Sequence, residues 1–207
     1  MARCSSISLQ QVAATETALR RSTRPHRDAC LFILGVETGL RISELLSVTF
    51  ADVLDTSGQV RDWLTIDKEH CKGKQHRRQI PLSPKAKGVI TRATEEAFEL
   101  GGSKPNDHMF APTYKSKPIS RVRAHAIIST ALKTAGINHT RGTHTARKTY
   151  AALLLQKAER AYQEGRIKVF PMLAVQLGLG HAELATTQRY LESGIEEVNE
   201  LIKEGLS

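Results

Sequence analysis

Disulfide chemistry is the first thing this sequence lacks. Its 207 residues hold three cysteines, Cys4, Cys30 and Cys71, and no two of them stand at CxxC spacing. An odd, scattered set cannot build a disulfide framework and fits free thiols in a reducing compartment. Metal-ligand spacing is missing as well. None of the eight histidines forms an HxxxH pair or lies beside a cysteine pair, and His70 next to Cys71 is a poor ligand geometry, so no zinc site is expected. The longest apolar run, "CLFILGV" over 30–36, is far too short to span a bilayer. The opening "MARCSSISLQQ" has no apolar core of a secretory signal. No membrane partner is expected, and the protein reads as cytoplasmic. Internal repeats, low-complexity tracts and Gly/Ser linkers are absent too, which favours one domain over 1–207. Acidic residues are in short supply. Against 30 Lys+Arg there are 21 Asp+Glu, a net charge of +9, which makes an extended polyanion, nucleic acid first, the leading partner. A scattered, solvated excess would give the same total, so particular residues must decide.

Helical periodicity dominates what is present. The stretch 8–21 places Leu9, Val12 and Leu19 on one side, with Ser8 as N-cap. A more buried helix covers 27–39 and stops at Gly39, a fitting residue just past a helix end. "ISELLSVTF" follows at once, so Arg41 falls on a tight junction between helices. Then "ADVLD", the run 60–67 and "RQIPLS" over 78–83 turn β-rich. They read as a three-stranded antiparallel sheet whose last two strands form a hairpin tipped by Lys72, Gly73 and Lys74. Helices resume from Pro84 and continue through 119–136 and 143–165, with three more over 169–178, 183–191 and 195–205. The loop 101–118 reads as the least ordered stretch. The fold class is therefore α+β, mainly α-helical with a small sheet.

Breaking a phosphodiester needs a nucleophile, stabilisation of the non-bridging oxygens and an acid for the leaving oxygen. Arginine suits the second task because its planar fork meets two phosphate oxygens and keeps its charge. Arg41 follows a glycine break in "TGLRISELL", and Arg147 stands one helical turn after His144 in "HTARKTY". Taken singly, each pattern is usually a cap, a turn or a surface arginine.

Their order changes that reading. With "TGLRISELLSVTFADV" (38–53), the hairpin "WLTIDKEHCKGKQHRRQIPLS", the "HTAR" box and "LGLGHAELATTQRY", the chain resembles the tyrosine recombinase (phage integrase) family from Thr38 to Leu191. The resemblance implies that Tyr190 attacks the scissile phosphate to give a 3′-phosphotyrosine and a free 5′-hydroxyl. Arg41 and Arg147 would clamp the non-bridging oxygens, Lys72 would protonate the leaving oxygen, His144 would act as base toward Tyr190, and His181 would hydrogen-bond the phosphate. Glu44 would orient Arg41 or His144. Lys74 is the alternative lysine, and Lys148, Arg77 and Arg78 are candidate DNA phosphate contacts. A phenol near pKa 10 is a poor nucleophile at neutral pH, so a neighbouring base and a cationic phosphate site are physically required. The phosphotyrosyl ester keeps the energy of the broken bond, so rejoining needs no ATP, and the family works with no metal or other cofactor.

The resemblance thus implies a site-specific DNA recombinase, acting on a double-stranded recombination site as a tetramer held together in part by a C-terminal helix with Ile195, Val198, Leu201 and Ile202 on one face. A type IB topoisomerase-like strand transferase and a non-catalytic DNA-binding regulator are the alternatives. Three departures stand out: Ala146 and Lys148 where the family favours Leu and His, a long interval between Arg147 and His181, and only 37 residues before Thr38. The last reads as a catalytic domain without the family's N-terminal core-binding domain, whether as a fragment or as a short stand-alone recombinase.

Overall fold

The computed structural model describes residues 5–67, 77–101, 104–112, 117–140 and 142–180. In chain order these form α1 (Leu9–Leu19), α2 (Pro25–Thr38), α3 (Ile42–Ser47), α4 (Phe50–Val53), β1 (Trp63–Ile66), β2 (Arg78–Pro81), α5 (Pro84–Glu99), α6 (Arg121–Thr134), α7 (His144–Gln163) and α8 (Pro171–Leu179). The chain divides into two compact units, Met1–Ala152 and Leu153–Ser207, and α7 runs across the division.

The core of the first unit is α2. Cys30, Phe32, Ile33 and Leu34 are fully buried and their neighbours nearly so. A helix apolar on every side has to be wrapped, and α1, α3, α5 and α6 all pack on it. Burial pushes the Cys30 thiol far up, which leaves it an inert core side chain.

The amino end of α2 is polar and equally buried. Pro25 occupies the first turn, and Arg24 at the N-cap offers no side-chain acceptor. Glu96 of α5 supplies one instead, accepting from the Arg27 backbone N–H at 2.7 Å and from Arg24 Nε at 3.2 Å. Arg27 forks onto Asp28 Oδ1 at 2.9 and 2.7 Å and donates to the Ala111 carbonyl at 3.1 Å. Charges this deep persist only when paired. The pairing fixes α2 against α5.

The described residues hold a two-stranded sheet, β1 antiparallel to β2 from Trp63↔Pro81 to Ile66↔Arg78, and not the three strands expected. The strand that fails is "ADVLD". Asp52 accepts from both the backbone N–H and the hydroxyl of Thr49, each at 2.8 Å, and this cap draws 50–53 into the single turn α4. Leu54 is left with an isolated bridge to Val60 across a turn that Gly58 closes at φ 81. Part of the loop expected to be least ordered is also pinned. Phe50 and Ala51 donate to the carbonyls of Asp107 and Pro105, Met109 donates to Val48, and Met109, Phe110 and Ala111 are buried. Three consecutive apolar residues outweigh the polar, Gly- and Pro-rich surroundings.

In the second unit, Ala158 and Ala161 of α7 and Val175 and Leu179 of α8 are buried. Tyr162 meets Phe170 edge to face with ring centres 6.2 Å apart. Pro171 starts α8 and Gly180 ends it at φ 63. The helices expected over 183–191 and 195–205 lie outside the described residues. No helix among the described residues is long and apolar enough to cross a membrane.

Candidate active site

Gly39 ends α2 in the left-handed region at φ 63, where a side chain is strained. That reversal brings α3 in two residues later with Arg41 as its N-cap, in extended backbone. Glu44, at the third helical position, folds back. Its Oε2 accepts the Arg41 backbone N–H at 2.7 Å and its Oε1 accepts from Arg41 Nη1 at 2.9 Å. The carboxylate is only 2% exposed. Arg78 of β2 reaches the same group, with Nη1 3.9 Å from Oε2. One buried carboxylate is thus shared by two guanidinium groups, and the three side chains together carry a formal charge of +1.

A third guanidinium arrives from α7. His144 opens that helix with its side chain exposed, and Arg147 follows one turn later, half-buried. Arg147 Nη1 donates to the carbonyl of Gly39. The turn that aims Arg41 is therefore also the acceptor for Arg147. The opposite side of α7 is anchored by threonines. Thr145 and Thr149, one turn apart and fully buried, face the chain's N-terminal segment. The Ile7 N–H donates to Thr149 Oγ1 at 3.1 Å, Thr140 Oγ1 lies 2.9 Å from Thr145 Oγ1, and Thr140 Oγ1 accepts from the Ser5 N–H at 2.9 Å. The first turns of α7 are held from both sides.

Arg77 and Lys148 are exposed. Arg77 pairs with Asp67, Nε to Oδ1 at 3.0 Å, whereas Arg78 turns inward to Glu44. Lys72, Lys74, His181 and Tyr190 lie outside the described residues. One member of the cluster had no sequence expectation attached to it: Tyr150, whose ring packs on Gly39. Its only signal is the three-residue step from Arg147, which puts both on one side of α7. Burial raises the Tyr150 phenol, while the charges of Arg78 and Arg147 pull it the other way.

Known proteins are similar to this chain over most of its length. The family described as the phage integrase family matches residues 6–197. A probable integrase/recombinase, YoeC of Bacillus subtilis, is 31% identical over 171 residues, covering 83% of this chain and 79% of that protein. The tyrosine recombinase XerD of Halalkalibacterium halodurans is 29% identical over 170 residues, 79% of this chain and 48% of that one. This chain therefore spans about half the length of the XerD relative. Among solved structures, the XerH site-specific recombinase in a pre-cleavage complex with its difH substrate shares the fold. Its TM-score is 0.64 at 20% identity, over 92% of this chain and 53% of that one.

Proposed function

Because the chain belongs to the phage integrase family, we propose that it is the catalytic domain of a site-specific tyrosine recombinase, cutting and rejoining DNA through a covalent 3′-phosphotyrosine. One observation carries the reading. Arg41 and Arg147, far apart in sequence, meet at a single turn, the first as N-cap two residues after Gly39 and the second bonded to the Gly39 carbonyl. Such a convergence suits two guanidinium groups that bind the non-bridging oxygens of one phosphate.

In the proposed reaction the Tyr190 oxygen attacks phosphorus, the P–O5′ bond breaks, and the 5′-oxygen leaves as a hydroxyl. Lys72 supplies its proton, with Lys74 as the alternative donor, and His144 takes the proton of Tyr190. His181 hydrogen-bonds the phosphate. Glu44 holds Arg41 in its working rotamer. Attack by a 5′-hydroxyl on the phosphotyrosine reverses the sequence and reseals the strand with no outside energy source. The substrate is a double-stranded recombination site in the cytoplasm. Strand exchange takes place in a tetramer on DNA, to which the apolar face of Ile195, Val198, Leu201 and Ile202 contributes.

The test is capture of the intermediate. A duplex carrying a nick beside the scissile phosphate loses its short 5′ fragment on cleavage, so the covalent complex accumulates as an SDS-resistant band. Tyr190→Phe removes the band, and EDTA leaves it unchanged. A band that survives Tyr190→Phe refutes the assignment of the nucleophile. Loss of the band in EDTA refutes the metal-free mechanism.

A further inference from the structure

We propose that Tyr150 is a positioning residue of the phosphate clamp, an aromatic wedge that sets Arg41 and Arg147 relative to each other through Gly39. The inference rests on the recombinase reading above and extends it to a residue to which that reading assigns no role.

The ring of Tyr150 lies directly on the α-carbon of Gly39. A Cβ added to that glycine would stand 2.3 Å from Tyr150 Cδ1, 2.7 Å from Cε1 and 2.9 Å from Cγ, well inside contact distance. The two residues come from different elements and are 111 positions apart, so tertiary packing alone creates the contact. Gly39 is thus held by its carbonyl, which accepts from Arg147, and by its α-carbon, which bears the ring. Both constraints come from one side of α7, three residues apart. Two residues beyond Gly39 is Arg41, whose backbone is the N-cap of α3. A tilt of the ring therefore moves the turn, and the turn carries Arg41.

The hydroxyl end has its own surroundings. Tyr150 is half-buried, and both Arg78 and Arg147 act on its phenol electrostatically. Burial outweighs them and keeps the phenol neutral at pH 7. A neutral phenol adds no negative charge near Arg78 and Arg147, whereas a phenolate there would compete with the phosphate.

Three single variants, one double variant and two readouts decide the matter. The first readout is the single-turnover rate of covalent complex formation on the nicked duplex, beside the dissociation constant for the same duplex. The second needs no activity: the Arg147 Nε–H resonance of arginine-labelled free protein, assigned through Arg147→Lys. Tyr150→Phe keeps the wedge, so its Arg147 resonance stays in place and its cleavage rate falls only severalfold. Tyr150→Leu removes the flat ring. Its Arg147 resonance shifts and exchanges faster, and cleavage falls on the order of 100-fold while DNA affinity changes less than about threefold, as a small misplacement of catalytic groups requires. Gly39→Ala gives the same pattern from the other side of the contact. Combining Gly39→Ala with Tyr150→Leu costs less than the product of the two single effects, because the clash is gone. An unshifted Arg147 resonance in Tyr150→Leu overturns the proposal, as does a cleavage loss that merely follows the loss of DNA affinity or of folded protein. If the unsubstituted protein forms no covalent complex, the recombinase reading fails by itself, and the Arg147 resonance still decides the role of Tyr150.

Discussion

A carboxylate with 2% exposure beneath two arginines is held by hydrogen bonds that leave it little freedom, and Glu44 transmits that rigidity to Arg41. Replacing it with glutamine separates its two contributions. The amide oxygen of Glu44→Gln still accepts the Arg41 N–H, so α3 keeps its cap. The charge that compensates Arg41 and Arg78 is gone. Breaking a buried charge pair costs about 3–5 kcal/mol, and the partial exposure of Arg41 and retention of the cap lower the expected loss to roughly 1–2 kcal/mol. Urea unfolding reads that loss, and the nicked-duplex assay should show cleavage falling more than DNA affinity does. Equal losses in cleavage and affinity would mean that Glu44 supports the fold and not the aim of Arg41. The local geometry of Gly39, Arg41 and Glu44 was legible in the sequence because glycine, arginine and acid stand at fixed short spacing in "TGLRISE". Tyr150 was not, since its partner Gly39 is distant along the chain, and nothing local separates this tyrosine from an ordinary half-buried one.

Elements form here where capping and burial agree, and among the described residues the expected third strand gave way to a cap. Short β-prone residues in "ADVLD" suggested a strand, but Thr49 and Asp52 satisfy each other locally and α4 results. The adjoining turn depends on a second aspartate. Asp55 accepts from the Ser57 hydroxyl at 2.7 Å, the Ser57 N–H at 2.8 Å and the Gln59 N–H at 2.9 Å. These bonds, the Ser57 hydroxyl first, hold its carboxyl below the usual carboxylate range. A native pKa lower than the unfolded one means that the stabilisation is complete above the unfolded value and is lost as pH falls through the native value. The 55–59 turn is therefore expected to open early on acidification. Amide exchange at Ser57 and Gln59 should accelerate in that window while the amides of α2 stay protected, and Asp55→Asn should show the faster exchange already at neutral pH. Unchanged exchange at both amides in Asp55→Asn would rule this account out. The long helices were readable because their apolar faces repeat over several turns. A cap that competes with a strand acts over four residues and leaves almost no periodic trace.

At the scale of the whole molecule, the proposed function divides the excess of basic residues between a general attraction to DNA and a site that holds one phosphate. Within the described site, the Glu44 carboxylate is shared by Arg41 and Arg78, and Arg147 donates to the Gly39 carbonyl. Each phosphate contact that displaces condensed counterions contributes about −0.9 to the slope of log K against log salt on duplex DNA. Arg147→Ala, made in a Tyr190→Phe background so that no cleavage intervenes, should flatten that slope by roughly one. The weakening should be uniform across DNA sequences, because a guanidinium on a phosphate reads no base. Arg77 offers the contrast. Its guanidinium is exposed and paired with an exposed Asp67, an arrangement worth little in itself. Opening that pair as DNA arrives costs correspondingly little, so Arg77→Ala should flatten the slope only if the β1–β2 edge lies along the backbone. A slope that Arg147→Ala leaves unchanged would show that Arg147 stays committed to the Gly39 carbonyl on DNA. The clamp would then consist of Arg41 and its partners, and the +9 of the chain would act only as a diffuse field.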